Sequence, residues 1–281
     1  MQARLIVATE ALADGSLTRR DLARSYTKVH RNVYARTGVK LTALDRAHAA
    51  WLWSGRRATL VGHSASALLG SRWIPVGAPV EIAHSRRPAA QGITARTGAI
   101  GDDEICDVDG ISCTTPARTA YDLGRRLPLD TGVIRIDALL NATRASMPEV
   151  EKIVLRYPGG PGIRKLRRAL DLADAGAESP QETRLRLLLV RSGLPRPVTQ
   201  IPVTNDWGRV VRRIDMGWPE WMVGAEYDGE QHWTNPAIHA EDIERLEFLA
   251  AKGWAIVRVS ARQLRYQPAL VVARVRTALQ R

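Results

Sequence analysis

The chain has 281 residues, of which 45% are hydrophobic and 25% charged, and a formal net charge of +12 at pH 7 with a pI near 10.4. At about 150 residues per domain the length points to two units, and no apolar run approaches the roughly 20 residues that would span a bilayer, which excludes an integral helical membrane protein. The positive charge favours a polyanionic partner, nucleic acid first, and two cysteines alone, Cys106 and Cys113, exclude a disulfide framework or a cysteine zinc site and are expected as reduced, buried thiols.

The opening MQARLIVATEALADG lacks a small-residue cleavage site and runs straight into acidic residues, unlike a secretory signal, so a cytoplasmic location is expected. A helix is expected from about Arg4 to Leu12, then a Gly15-Ser16 turn. A second helix follows, with Thr18 as N-cap and Asp21 at the capping-box position. RNVYARTGVK reads as a short strand pair around Val33 and Tyr34 with a turn at Gly38. Two short helices and a basic hairpin are the parts of a winged helix-turn-helix, expected over residues 1–60. The basic character is concentrated here: residues 1–100 carry 15 Lys and Arg against 5 Asp and Glu, and residues 101–281 carry 26 against 24.

Residues 61–176 read as an α/β middle region. Leu44 to Trp53 is an amphipathic helix leading into it, ATLVGHSASALLG a strand entering a small-residue helix, and Val80 to Cys113 a β-rich stretch broken by Pro and Gly. TTPARTAYDLGRR starts a helix with Pro116 in its first turn, and helical periodicity continues through Ile134 to Leu140. The pattern breaks at LADAGAESPQE, where the C-terminal domain, 177–281, is expected to begin. Ser179-Pro180-Gln181-Glu182 is a helix start, three strands follow in GLPRPVTQIPVT, WGRVVRRIDMGWP and WMVGAEYDG, and HAEDIERLEFLAAKGW is a helix closed by Gly253. WAIVRVS is a fourth strand and Tyr266 to Leu279 a final helix, giving the order α-β-β-β-α-β-α.

The acids of this last region stand where two strands of a hairpin meet. Glu226 and Asp228 are two apart on one strand and share a face, while Asp215 ends the strand before it. Hard divalent cations such as Mg2+ or Mn2+ take oxygen ligands, so three converging carboxylates, Asp215, Glu226 and Asp228, are a candidate metal set for phosphodiester chemistry. Each has a plainer reading: Asp215 before Gly-Trp-Pro as a turn former, Asp228-Gly229 as a turn dipeptide, Arg245 with Asp242 as a solvated helix pair. Glu226 resists this, because a carboxylate inside VGAEY is half buried and needs a partner. Trp218, Trp221, Trp233 and Trp254 read as core rather than base-stacking surfaces.

The blocks SPQETRLRLLL, RIDMGWPE, AEYDGEQHW and EDIERLEFLAAKGWAIVRV resemble, in order and over about 100 residues, the bacterial domain family related to very-short-patch repair endonucleases, within the PD-(D/E)XK superfamily. The resemblance implies a restriction-endonuclease-like domain in which Glu182, Asp215, Glu226 and Asp228 are catalytic or metal acids. It also implies His232 as a general acid or base and Arg245 as a DNA contact. Asp228 stands where the wider superfamily has a lysine, a role the repair endonucleases also fill without that lysine. More loosely, GSLTRRDLARSY with VHRNVYARTG is similar to the winged helix of abortive-infection type antitoxins. That similarity implies that Arg19, Arg20, Arg24, Lys28, His30 and Arg31 face DNA.

The expectation is therefore an α/β (α+β) protein with an N-terminal winged-helix-like region and a C-terminal αβββαβα domain. It would hydrolyse DNA with Mg2+ or Mn2+, without a small-molecule cofactor or a membrane, and a homodimer is admitted. The rival is a non-catalytic, antitoxin-like DNA-binding regulator with a degenerate nuclease fold.

Overall fold

A computed structural model describes residues 5–83, 90–229 and 236–280, without the side chains of residues 236–240 and 242. The fold is mixed α/β, and the chain divides into two compact units, 1–171 and 172–281. The segments expected as 1–60 and 61–176 share the first unit. The boundary falls a few residues before 177 because the intervening backbone is held by the second unit: Arg186 Nη1 donates to the Leu172 carbonyl at 2.5 Å, Arg196 Nη2 to that of Ala173 at 2.8 Å, and Thr199 Oγ1 to the Asp174 carboxylate at 2.7 Å.

The first unit opens with β1 (Leu5–Val7), α1 (Ala8–Ala13), α2 (Arg19–Ser25), β2 (Tyr26–His30) and β3 (Val33–Arg36), and its sheet order is β1-β3-β2. The expected opening helix thus begins as a strand. Leu5, Ile6 and Val7 pair with Ala35, Tyr34 and Val33, and that ladder outweighs local helical periodicity. The helix α2 is capped as its sequence indicates, with Asp21 N donating to Thr18 Oγ1 at 3.1 Å and Thr18 N to Asp21 Oδ2 at 3.0 Å. It buries no residue, so Arg19, Arg20 and Arg24 are exposed, as are Lys28 and Arg31.

After α3 (Ala43–Trp53) come β4 (Thr59–Leu60), α4 (Gly62–Leu68), β5 (Val80–Ala83), β6 (Ile93–Arg96), β7 (Ile105–Val108) and β8 (Ile111–Thr114), forming a sheet of order β6-β5-β4-β8-β7. Then α5 (Pro116–Arg126), α6 (Leu129–Thr143), α7 (Met147–Arg156) and α8 (Ile163–Leu172) follow. The motifs GHSAS and TPARTAYDL are architectural here. Glu81, buried at 3% exposure, accepts from the backbone N–H of His63 at 2.9 Å and from Arg96, and its ionised form is favoured so strongly by these partners that its pKa falls to about 2 despite burial. Gly62 is required above it: φ is +53°, and a Cβ there would meet Glu81 Oε2 at 2.2 Å. A second buried network joins Arg118 to Glu104 and Asp122. The thiols of Cys106 and Cys113 face each other across β7 and β8, unbridged, at 3.6 Å, and burial pushes the Cys113 thiol up.

The second unit runs α9 (Pro180–Arg191), β9 (Val198–Thr204), β10 (Val210–Trp218), β11 (Val223–Asp228), α10 (Pro236–Ala251), β12 (Ala255–Ser260), α11 (Ala261–Tyr266) and α12 (Pro268–Leu279). This is the expected order α-β-β-β-α-β-α with one short helix added, α11, between β12 and the final helix, the two being separated at Gln267-Pro268 because proline cannot continue the hydrogen-bonded turn before it. The sheet order is β12-β11-β10-β9, antiparallel except for the β11–β12 pair. One face packs Met216, Trp218, Val223, Ala225, Val257 and Val259 against Leu185 and Leu189 of α9 and Val271 and Val275 of α12. The other packs Ile201, Val203 and Ile214 against Leu249 and Phe248 of α10. Trp218 and Trp254 are core as expected, whereas Trp221 is 47% exposed and Trp233 lies outside the described residues.

Candidate active site

Strand alternation places Gly224, Glu226 and Asp228 on the β11 face beneath α10, because Val223 and Ala225 belong to the opposite core. The parallel register sets Arg258 of β12 beside Glu226 and Ser260 beside Asp228, so Arg258 shares that face. From α10, Arg245 lies one turn before the buried Leu249 and is therefore aimed at the same face. Arg245 Nη2 donates to Glu226 Oε1 at 2.5 Å and to the Arg213 carbonyl at 3.2 Å, and Arg258 Nη2 donates to Asp228 Oδ2 at 2.7 Å. The remaining oxygens, Glu226 Oε2 and Asp228 Oδ1, are buried and have no hydrogen-bond partner among the described residues.

Asp215 occupies a local irregularity. Ile214 packs on the α10 side and Met216 on the α9 side, although residues two apart in a regular strand share a face. The β10–β11 ladder accordingly ends at the pair Met216 and Ala225, and the next amide, Tyr227 N–H, donates instead to Asp215 Oδ2 at 2.9 Å. Across from Asp215, β9 is irregular as well: Gln200 has φ +51°, and its Nε2 lies 3.5 Å from Glu182 Oε2. Glu182 is brought in by the first turn of α9. Its backbone N–H donates to the Ser179 cap at 3.2 Å, and its carboxylate accepts from Glu178 N at 2.9 Å.

These acids are held where the charged form is disfavoured. Burial, reinforced by the Asp215 charge, raises Glu182 to about 7. Burial raises Glu226 to about 7 as well, Arg245 opposing and Asp215 adding to the rise. Asp215 is itself raised by burial, with the Tyr227 amide and Arg245 acting against that and Glu178 with it. Glu182 of α9, Asp215 of β10 and Glu226 of β11, with Glu178 just before α9 and Arg245 of α10, are thus electrostatically linked. The three carboxylates expected to converge do not close into one grouping: among the described residues no set of three acidic, histidine or cysteine side chains is arranged to hold a metal ion. Asp215 is turned to a backbone amide, Glu226 and Asp228 to arginines. The chemistry of the unpartnered oxygens nevertheless fits a hard divalent cation, since they are two buried carboxylate oxygens two residues apart on one face with no hydrogen-bond partner among the described residues. His232 and the side chain of Asp242 lie outside what is described.

Three participants were not singled out from the sequence. Glu178 precedes a helix cap and reads as linker. Gln200 depends on a positive φ that no motif announces. Arg258 left one signal, a charge at an alternate position of the buried strand WAIVRVS. No membrane-crossing helix is present among the described residues. No family model and no solved structure matches the chain. It is similar to two proteins of Mycobacterium tuberculosis, each described as an uncharacterized protein, one from strain CDC 1551/Oshkosh and one from strain H37Rv. Each is 33% identical over 174 residues, covering 62% of this chain, and the chain spans 64% of the length of these relatives.

Proposed function

We propose that unit 172–281 is a divalent-metal-dependent endonuclease acting on DNA and that the basic first unit binds duplex. The observation that carries this reading is the pair of buried, unpartnered oxygens, Glu226 Oε2 and Asp228 Oδ1, in a neighbourhood that already raises three acids. Unpartnered buried carboxylate oxygens cost free energy unless something cationic visits them, and Mg2+ or Mn2+ is the visitor their chemistry selects. When bound, such an ion neutralises charge building on a phosphodiester and activates a water. Glu226 and Asp228 would hold it, with Asp215 joining by exchanging its amide partner. Glu182, poised near neutrality, can take or return a proton at its carboxylate. On the first unit, Arg19, Arg20, Arg24, Lys28 and Arg31, all exposed, would meet phosphates.

Incubation of the full chain with supercoiled plasmid in Mg2+, Mn2+ or EDTA tests the reading. Nicking or linearisation in metal alone, lost in Asp215→Asn and Glu226→Gln, is the expected result. Duplex binding without cleavage in any metal would replace it with the non-catalytic regulator.

A further inference from the structure

We infer that Arg245 and Arg258 are positioning residues for the cation site, each gripping one oxygen of a carboxylate so that the other is presented to metal. This rests on the metal-site reading above and goes beyond it by assigning the two arginines a part. The observation is a repeated arrangement. Glu226 is 3% exposed, its Oε1 is bound by Arg245 from α10, and its Oε2 is unpartnered among the described residues. Asp228, on the same face two residues on, has Oδ2 bound by Arg258 from β12, and its Oδ1 is likewise unpartnered. The two arginines come from different elements, so each carboxylate is clamped against its own strand from a separate direction. Arg258 is further fixed by Arg274, whose Nη1 donates to its carbonyl at 3.0 Å, and Arg245 by its contact with the Arg213 carbonyl.

A carboxylate rotates about its last bond with little resistance, so a buried one without a directional partner would present no fixed ligand. A charge-assisted bond from a guanidinium to one oxygen ties that oxygen down and opposes the rotation that would exchange it with the other. Groups that orient ligands in this way typically alter metal affinity by about 10–100-fold when removed.

Simple electrostatics predicts the opposite sign, which makes the inference decidable. A nearby positive charge repels a divalent cation, so neutralising an arginine that did no positioning would leave Mn2+ affinity unchanged or tighten it. The test is a titration of the full chain with Mn2+, followed by the loss of the free-ion paramagnetic resonance signal, for wild type, Arg258→Gln, Arg245→Gln and Arg258→Lys. Metal-free circular dichroism and melts establish that each variant is folded. Arg258→Gln and Arg245→Gln are expected to weaken Mn2+ binding by about tenfold or more. Arg258→Lys, keeping the charge without the planar guanidinium, should fall between wild type and Gln, and it decides the matter if a Gln variant does not fold. Affinity equal to or above wild type in the folded variants overturns the inference, as does a wild type that binds no Mn2+. Plasmid cleavage measured in parallel separates the two claims: Mn2+ binding that depends on the arginines without any cleavage rejects the nuclease reading and leaves the positioning role standing.

Discussion

At the scale of single residues, the acids of the second unit and Glu81 of the first are opposite solutions to burying a carboxylate. Glu81 is compensated by donors and stays ionised, whereas Glu182, Asp215 and Glu226 are under-compensated and raised. Substitution should therefore separate them. Asp215→Asn keeps an oxygen that can accept from Tyr227 N–H and removes a charge that raises its neighbours. Its metal-free melting temperature should stay level or rise, while stabilisation by Mg2+ and cleavage both disappear; thermal melts with and without MgCl2 read this directly. A sharp drop in the metal-free melt would make Asp215 architectural. Glu81→Ala leaves the His63 amide without its acceptor and Arg96, 36% exposed, without its ion-pair partner, and leaving a buried donor unsatisfied costs about 1–3 kcal/mol, measurable by denaturant unfolding.

At the scale of elements, the site depends on how α9 starts and how closely β10 and β11 approach. Ser179 caps α9 through the amide of Glu182 itself, so Ser179→Ala should cost about 1 kcal/mol and also loosen Glu182, lowering cleavage more than removal of a cap elsewhere on the surface would. Gly217 faces Gly224 across the hairpin, and a Cβ on Gly217 would meet the Val223 carbonyl at 2.3 Å. Gly217→Ala should destabilise by about 1–3 kcal/mol, the usual range for overpacking, and a denaturation midpoint unchanged from wild type would show that the strands can part without cost.

For the molecule as a whole, pH and salt are the informative variables. Glu182 and Glu226 bind protons in the folded state that the unfolded chain releases near 4.5, so their contribution is full below that pH and is lost as pH rises through about 7. Glu81 runs the other way, its contribution being present above 4.5 and lost as pH falls towards 2. In metal-free protein the Glu226 and Tyr227 amides should accordingly open more readily at pH 8 than at pH 5, after correction for intrinsic exchange, and Mg2+ at pH 8 should reverse this; protection that rises with pH would contradict the assignment. The exposed cations of α2 and β2 should give DNA affinity that falls steeply with salt. Replacing Arg19, Arg20 and Arg24 with Gln should flatten the log–log salt slope by about 0.9 for each phosphate no longer neutralised, and an unchanged slope would place the DNA surface elsewhere.

Much of this architecture was legible in the chain because it depends on local chemistry. The capping box at Thr18, the Ser179 cap of α9 and the order α-β-β-β-α-β-α follow from side chains acting on their own backbone and from periods of 2.0 and 3.6 residues, whereas the first hairpin turns between His30 and Val33 and not at Gly38. The sharing of one face by Glu226 and Asp228 was legible too. The opening strand was not legible, because Leu5 to Val7 is extended by its pairing with Val33 to Ala35, far along the chain, not by anything in its own segment. The same holds for the fine structure of the site. The kink at Asp215, the positive φ at Gln200 and the two arginines that claim one oxygen each of Glu226 and Asp228 arise from packing between β9, β10, β11, α10 and β12. Sequence separation carries no record of that packing, and only the assembled sheet decides which carboxylate oxygens are satisfied and which are left for a partner.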